Sequence, residues 1–170
     1  MIKQRHILTY SVACTLAVLA FLIGIYLLEL KEPIWNNLLY LIYIGVLIFA
    51  VKSWRDSENE GVISFASIMS YATFFAIYYL FVIAIWTYLF MVYVAPDLME
   101  IQLQLQEQMM VNDGMPTEQI AIGMKYARMF STPPIAAIFT FVGGLFIASI
   151  LNLIVAAIMK KDKEVSFNNY

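Results

Sequence analysis

From Asp97 to Ser131 the chain reads DLMEIQLQLQEQMMVNDGMPTEQIAIGMKYARMFS, the only sizeable stretch suited to water. Pro96, just before it, lacks a backbone donor and must start a new helix or kink an old one. Leu98, Ile101, Leu105 and Met109 then recur at helical spacing and form one apolar stripe. The alternation from Ile101 to Gln106 also fits a strand. A helix is preferred, because Gln, Leu, Met and Glu are good helix formers and Asp97 and Glu100 suit a helix N-terminus. Asn112-Asp113-Gly114 stops that helix. Thr117 is expected to cap a second one, with Glu118 in its first turn. Ile120, Met124 and Ala127 give the second helix its own stripe. Lys125 and Arg128 sit near its C-terminal end, and Ser131-Thr132-Pro133-Pro134 closes it. Two striped helices must bury those stripes against each other, on a bilayer or on another protein. Leu98, Ile101, Leu105, Met109, Ile120 and Met124 are therefore the candidate partner-binding residues.

Outward from this hairpin the chain is apolar. Four segments are long enough to span a bilayer: 7–28 (22 residues), 34–51 (18), 68–95 (28) and 135–159 (25). None contains Asp, Glu, Lys, Arg or His. A span needs about 20 residues, so the second is short, and the third must tilt or project. The first two are joined by Glu29-Leu30-Lys31-Glu32-Pro33, short enough to force an antiparallel pair, with Pro33 suited to a first helical turn. The whole chain is 62% hydrophobic and 13% charged, against about 45–50% and about 25% in soluble domains. The N-terminal run exceeds the about 7–15 residues of a signal-peptide core, so it reads as a retained anchor.

Lys and Arg set the topology. Lys3, Arg5, Lys52, Arg55, Lys160, Lys161 and Lys163 fall on one side, and Lys31, Lys125 and Arg128 on the other. The richer side belongs in the cytoplasm. Both termini are then inside, and the 97–131 hairpin is outside. Tyr10 and Trp54 suit the inner interface, and Tyr26, Trp35 and Tyr93 the outer one. The stretch Lys52–Gly61 reads as a mixed-charge loop, with Ser64 able to cap the third helix.

Within the lipid, the fourth span carries small or weakly polar residues at every fourth place: Ala136, Thr140, Gly144, Ala148, Asn152 and Ala156. The first span has Ala13, Ala17, Ala20 and Gly24 at alternating spacings of four and three. Small residues let helix backbones approach closely, so both rows are expected to pack against helices of the chain or of a second copy. Asn152 is expected to bond to a neighbouring helix. The aromatics of the third span surround it rather than line one face. They fit lipid contact and packing, or a groove for a lipid tail.

Catalysis finds little support. No ionisable group lies within the four apolar segments, where such groups mark proton relays and ion paths. One cysteine (Cys14) and one histidine (His6) exclude the usual zinc and iron–sulfur frameworks and any intramolecular disulfide. Cys14 reads as packing, and His6 as a headgroup contact. No cofactor or metal is expected. The net charge of −2 gives no case for nucleic acid.

Taken together, the four spans, Gly61-Val62-Ile63-Ser64-Phe65, Ala95-Pro96-Asp97, the Gln/Glu/Met-rich outer helix, Gly114-Met115-Pro116-Thr117-Glu118-Gln119-Ile120, Pro133-Pro134 and the small-residue final span ending in Lys160-Lys161 resemble an uncharacterised Bacteroidota membrane family, domain of unknown function 4199. The resemblance covers nearly the whole chain and is specific as an ensemble. It implies a Gram-negative inner membrane, so that the hairpin would face the periplasm. It implies no activity and no site residues.

The expected fold is an all-α integral membrane four-helix bundle, a single membrane domain over 1–170, with an extracytoplasmic amphipathic hairpin between spans three and four. The expected role is non-catalytic, an accessory or scaffold subunit of an envelope complex in the cell inner membrane. Its partners would be membrane lipid and a membrane protein or second copy. The alternative is a small transporter or lipid-binding carrier.

Overall fold

The computed structural model of the chain describes residues 4–30, 33–58 and 60–161. Lys3, Lys31, Glu32 and Lys163 therefore lie outside the described residues. Six α-helices follow in order: α1 Gln4–Leu27, α2 Pro33–Glu58, α3 Phe65–Leu89, α4 Leu98–Asn112, α5 Thr117–Phe130 and α6 Pro133–Met159. A π-helical turn, Phe90–Val94, extends α3. Among the described residues, four helical segments are long and apolar enough to cross a membrane: Gln4–Leu27, Asn37–Glu58, Phe65–Val94 and Pro133–Met159. The chain is a multi-pass membrane protein.

Local chemistry accounts for most boundaries. α1 ends with Glu29 at φ +50°. There the Leu30 N–H bonds to the Ile25 carbonyl and the Glu29 N–H to the Tyr26 carbonyl, a Schellman closure in which glycine is usual. α3 starts with the Ser64 hydroxyl accepting the Ser67 N–H at 3.2 Å, a side-chain cap. Ahead of Pro96 the ladder widens, and the Ala95 N–H reaches the Phe90 carbonyl five residues back. Gly114, at φ +72°, turns the chain after α4. Pro133 and Pro134 occupy the first turn of α6, where the missing N–H costs nothing.

Two boundaries differ from expectation. Lys52–Gly61 is not a loop throughout, because α2 continues to Glu58. Its charged side chains tolerate solvent, and the backbone stays bonded as helix, so the change of composition at Lys52 marks no structural break. Thr117 is the first helical residue of α5 rather than its cap. The flanking position is Pro116, whose carbonyl accepts the Ile120 N–H.

The chain forms two compact units, residues 1–80 with 145–170 and residues 81–144. In the first, α1 packs on α2, and the first half of α3 is the most buried element. Ile68, Tyr71, Ala72, Phe75, Ala76 and Tyr79 point into the core, while Phe74 is exposed. The aromatics that surround this helix in sequence are thus sorted by a 3.6-residue period into an inner and an outer set. At one end of the unit, Ile63 and Lys161 exchange two backbone hydrogen bonds of 2.9 Å each. This pair holds the start of α3 beside the end of α6. His6 of α1 meets Ser53 of α2 and Tyr71 of α3 at the same end. The start of α1, the end of α2, the start of α3 and the end of α6 therefore share one end of the unit.

In the second unit, α4 and α5 form an antiparallel pair. Glu100 near the start of α4 meets Arg128 near the end of α5, with nitrogen–oxygen distances of 3.0 and 3.2 Å.

Candidate functional site

The α4–α5 pair buries the expected stripe of α5 but not that of α4. Successive helical residues are turned by about 100°, so Leu98, Ile101, Leu105 and Met109 share one face, while Leu103 and Met110 lie about 140° away from it. It is the second row that is spent inside. Leu103 is buried. Met110 lies over Gly123 of α5, where an added Cβ would sit 3.5 Å from the methionine Cε. The first row faces outward: Ile101, Leu105 and Met109 are each more than half exposed, and Leu98 is half-buried. On α5 the inward face holds Met124, which is buried, with half-buried Ile120 and Ala127. Ile120 and Met124 therefore do not present a partner surface, because folding of the unit has already covered much of them. The outward apolar row of α5 is Ile122, Tyr126 and Met129. Its spacing of four and three was legible in the sequence, as was the second row of α4. With two apolar rows on each helix, periodicity alone gives no rule for which row pairs.

A second feature of this unit is an open groove of about 390 Å³ between α3 and α6. It is lined by Phe81, Ala84, Ile85, Tyr88, Ala137, Ile138 and Phe141, with an entirely apolar exposed surface.

In the first unit the polar side chains are engaged with one another. The Tyr71 hydroxyl lies 2.8 Å from His6 Nδ1, and Ser53 Oγ lies 3.4 Å from His6 Nε2. Tyr10 donates its hydroxyl to Ser53 Oγ at 3.1 Å. This arrangement suits a neutral ring protonated on Nε2, accepting from Tyr71 and donating to Ser53. Trp54 stacks on Tyr71 at 4.9 Å between centroids. His6 is half-buried, and both its ring nitrogens meet side chains of neighbouring helices. Trp54 is buried in the same cluster rather than set at a lipid interface. Deeper in the unit, Tyr43 of α2 donates to Asn152 Oδ1 of α6 at 2.8 Å, with both side chains buried. Among the described residues, no group of three or more His, Cys, Asp or Glu is placed to hold a metal ion.

The model of the family described as protein of unknown function (DUF4199) matches residues 9–161. The chain belongs to that family. No curated protein and no solved structure matches it. The DUF4199 match takes in α2 to α6 entire and α1 from Thr9, ending on Lys161 of the backbone pair.

The small-residue rows of this DUF4199 chain fall on different surroundings. On α6, Ala148, Asn152 and Ala156 are buried, and Thr140 and Gly144 are half-buried. On α1, Ala13, Ala17 and Ala20 are exposed, and a Cβ on Gly24 would meet nothing within 4 Å. The buried face of α1 is instead Ile7, Ser11, Cys14, Thr15 and Val18. Ser11 and Thr15 can take that place because each hydroxyl bonds a carbonyl one turn back, at 2.8 Å. Ser11 Oγ also lies 3.4 Å from the Phe75 carbonyl of α3. A hydroxyl satisfied in this way is as compact at a helix interface as an alanine.

Proposed function

We propose that this protein is a non-catalytic integral inner-membrane protein, acting as an accessory or scaffold subunit of an envelope complex. The observation that carries the proposal is the outward row of α4. Ile101, Leu105 and Met109 form a continuous apolar strip on a helix too short and too polar to span a membrane. Contiguous exposed apolar surface of that kind marks an interaction site. The strip is free of charge, because Glu100 and Glu107 lie on the far side of the helix. It selects an apolar helix or sheet face, not a charged ligand. The orientation proposed keeps both termini cytoplasmic and the hairpin outside. In its support, Arg5, Lys52, Arg55, Lys160 and Lys161 belong to the helix ends that gather at one end of the first unit, as the cytoplasmic bias of Lys and Arg requires. The proposal assigns no catalytic role because the four apolar segments 7–28, 34–51, 68–95 and 135–159 carry no ionisable Asp, Glu, Lys, Arg or His, the groups that mark proton relays and ion paths.

The test is purification from native membranes in mild detergent with mass spectrometry of what accompanies the chain. A stoichiometric protein partner is expected, and it should be lost when Ile101 and Leu105 are both changed to Glu. Purification of the unaltered chain alone, as a stable monomer, would remove the basis of the proposal. The groove between Phe81, Tyr88 and Phe141 favours a second reading, a lipid-binding carrier or small transporter. That reading requires a specific lipid or solute in the purified protein and no protein partner.

A further inference from the structure

The exposed row on α5 has a different occupant. We infer that α5 lies in the outer headgroup layer of the bilayer, with Ile122, Tyr126 and Met129 facing the lipid and α4 carried on its opposite side. Three observations lead there. The first is connection. α5 ends at Phe130 and the membrane-spanning helix α6 begins at Pro133. Three Cα steps of at most about 3.6 Å keep Phe130 within about 11 Å of the start of that span. Tyr126 lies only about 6 Å farther along the helix axis, and the headgroup region adds about 5–8 Å to each side of the hydrocarbon core.

The second observation is composition. Ile122, Tyr126 and Met129 are 53%, 58% and 65% exposed, and Phe130 beside them is 51% exposed. An apolar strip with aromatic rings at membrane level is the pattern of an interfacial helix. Lys125, exposed beside the strip, has a stem long enough to lie along it with its ammonium toward phosphate. The third observation is the order of layers. The face of α5 that meets α4, around Met124, is turned about 150° from the Tyr126 row. α4 holds Glu100 and Glu107 and no basic residue, whereas α5 holds Glu118 against Lys125 and Arg128, so of the two helices α5 is the less repelled by an anionic surface. The sequence of layers is therefore lipid, α5, α4 and then the apolar strip of α4.

The experiment uses the full chain with Cys14→Ser, reconstituted into phosphatidylethanolamine–phosphatidylglycerol vesicles. Nitroxide labels are placed singly on cysteines at 122, 126 and 129, with Ala121 and Gln106 as references and Phe139 on α6 as a check of insertion. Collision rates with oxygen and with a water-soluble nickel chelate are compared. The ratio of oxygen to nickel accessibility should rise at all three row positions relative to Ala121 and fall at Gln106. Nickel accessibility at the row equal to that at Gln106 would put the face in water and overturn the inference. Shielding from both reagents would overturn it too, because a protein would then cover the row. A readout without substitution guards against a label that disturbs folding. Oxidation of the unaltered chain by hydrogen peroxide in the same vesicles should be several-fold slower at Met129 than at Met109 and Met115. Equal rates would refute the placement.

Discussion

The hydrogen bond between Tyr43 and Asn152 offers the sharpest test of how the spans of the first unit are held. It is 2.8 Å long and joins α2 to α6 in a setting where Tyr43 is 3% and Asn152 1% exposed. Tyr43 also meets Phe75 and Tyr79 of α3 edge-on or tilted, at 5.6 and 5.4 Å between centroids. Changing Tyr43 to Phe keeps those ring contacts and removes only the hydroxyl. The Asn152 oxygen then loses its donor in a water-free interior. An orphaned buried polar group costs about 1–3 kcal/mol in a soluble core. Hydrogen bonds between membrane helices average about 0.6 kcal/mol, reaching about 1.7, because the unfolded chain in the membrane finds other partners. Tyr43→Phe should accordingly destabilise by about 0.6–1.7 kcal/mol, or about 3- to 18-fold in the unfolding equilibrium constant. Asn152→Leu alone should cost at least as much, since it leaves the Tyr43 hydroxyl without its acceptor and adds an awkward shape. The double variant should lose less than the sum of the two. The assay is a double-mutant cycle on reversible unfolding in mixed micelles or bicelles. A coupling energy indistinguishable from zero would refute the reasoning, since it would mean that packing of α6 does not depend on the bond.

Three further outcomes are expected. Ala148→Leu should overpack the buried face of α6 at a cost of about 1–3 kcal/mol, whereas Ala17→Leu, on the exposed side of α1, should change stability by less than about 0.5 kcal/mol. The same unfolding assay compares them, and a larger cost at Ala17 would contradict the burial pattern. His6→Phe should cost about 0.6–1.7 kcal/mol by stranding the hydroxyl of Tyr71, which is fully buried, and adding Tyr71→Phe should recover part of that loss. A thermal unfolding series of the two single variants and the double variant checks it. Glu29→Gly should be neutral to stabilising by about 1 kcal/mol, because Glu29 sits at φ +50°, where a side chain costs about 1–2 kcal/mol and glycine offsets part of the gain through its unfolded-state entropy. A fall in the unfolding midpoint of that variant would show that the Glu29 side chain makes a contact worth more than the strain.

The helices themselves were legible because each is written in local terms. Continuous apolar runs, Pro96, Gly114, Ser64 and the Pro133-Pro134 pair act within a turn or two of where they stand, so their effect needs no knowledge of the rest of the chain. The hairpin was visible for the same reason. The extension of α2 to Glu58 was not, because hydropathy reports the solvent of a segment and not its backbone, and a helix that leaves the lipid loses its apolar signature without losing its hydrogen bonds.

Rotation about each helix axis was the quantity that local terms left open. α1 carries both an alanine row and a Ser11-Cys14-Thr15-Val18 row; α4 carries Leu98-Ile101-Leu105-Met109 and also Leu103-Met110. In the hairpin the longer apolar row is not the one buried, since α4 spends Leu103 and Met110 inside and leaves Ile101, Leu105 and Met109 outward. In a bilayer, lipid tails solvate alanine and leucine as well as another helix does, so apolarity does not choose a face. The sequence therefore determined where the chain crosses the membrane, where it turns, and that a polar hairpin stands between the last two spans. Only the tertiary structure decided which faces meet: His6 with Tyr71 and Ser53, Tyr43 with Asn152, Met110 with Gly123. Those pairings depend on hydrogen bonds and shape between residues up to 109 positions apart, and no local pattern in the chain encodes them.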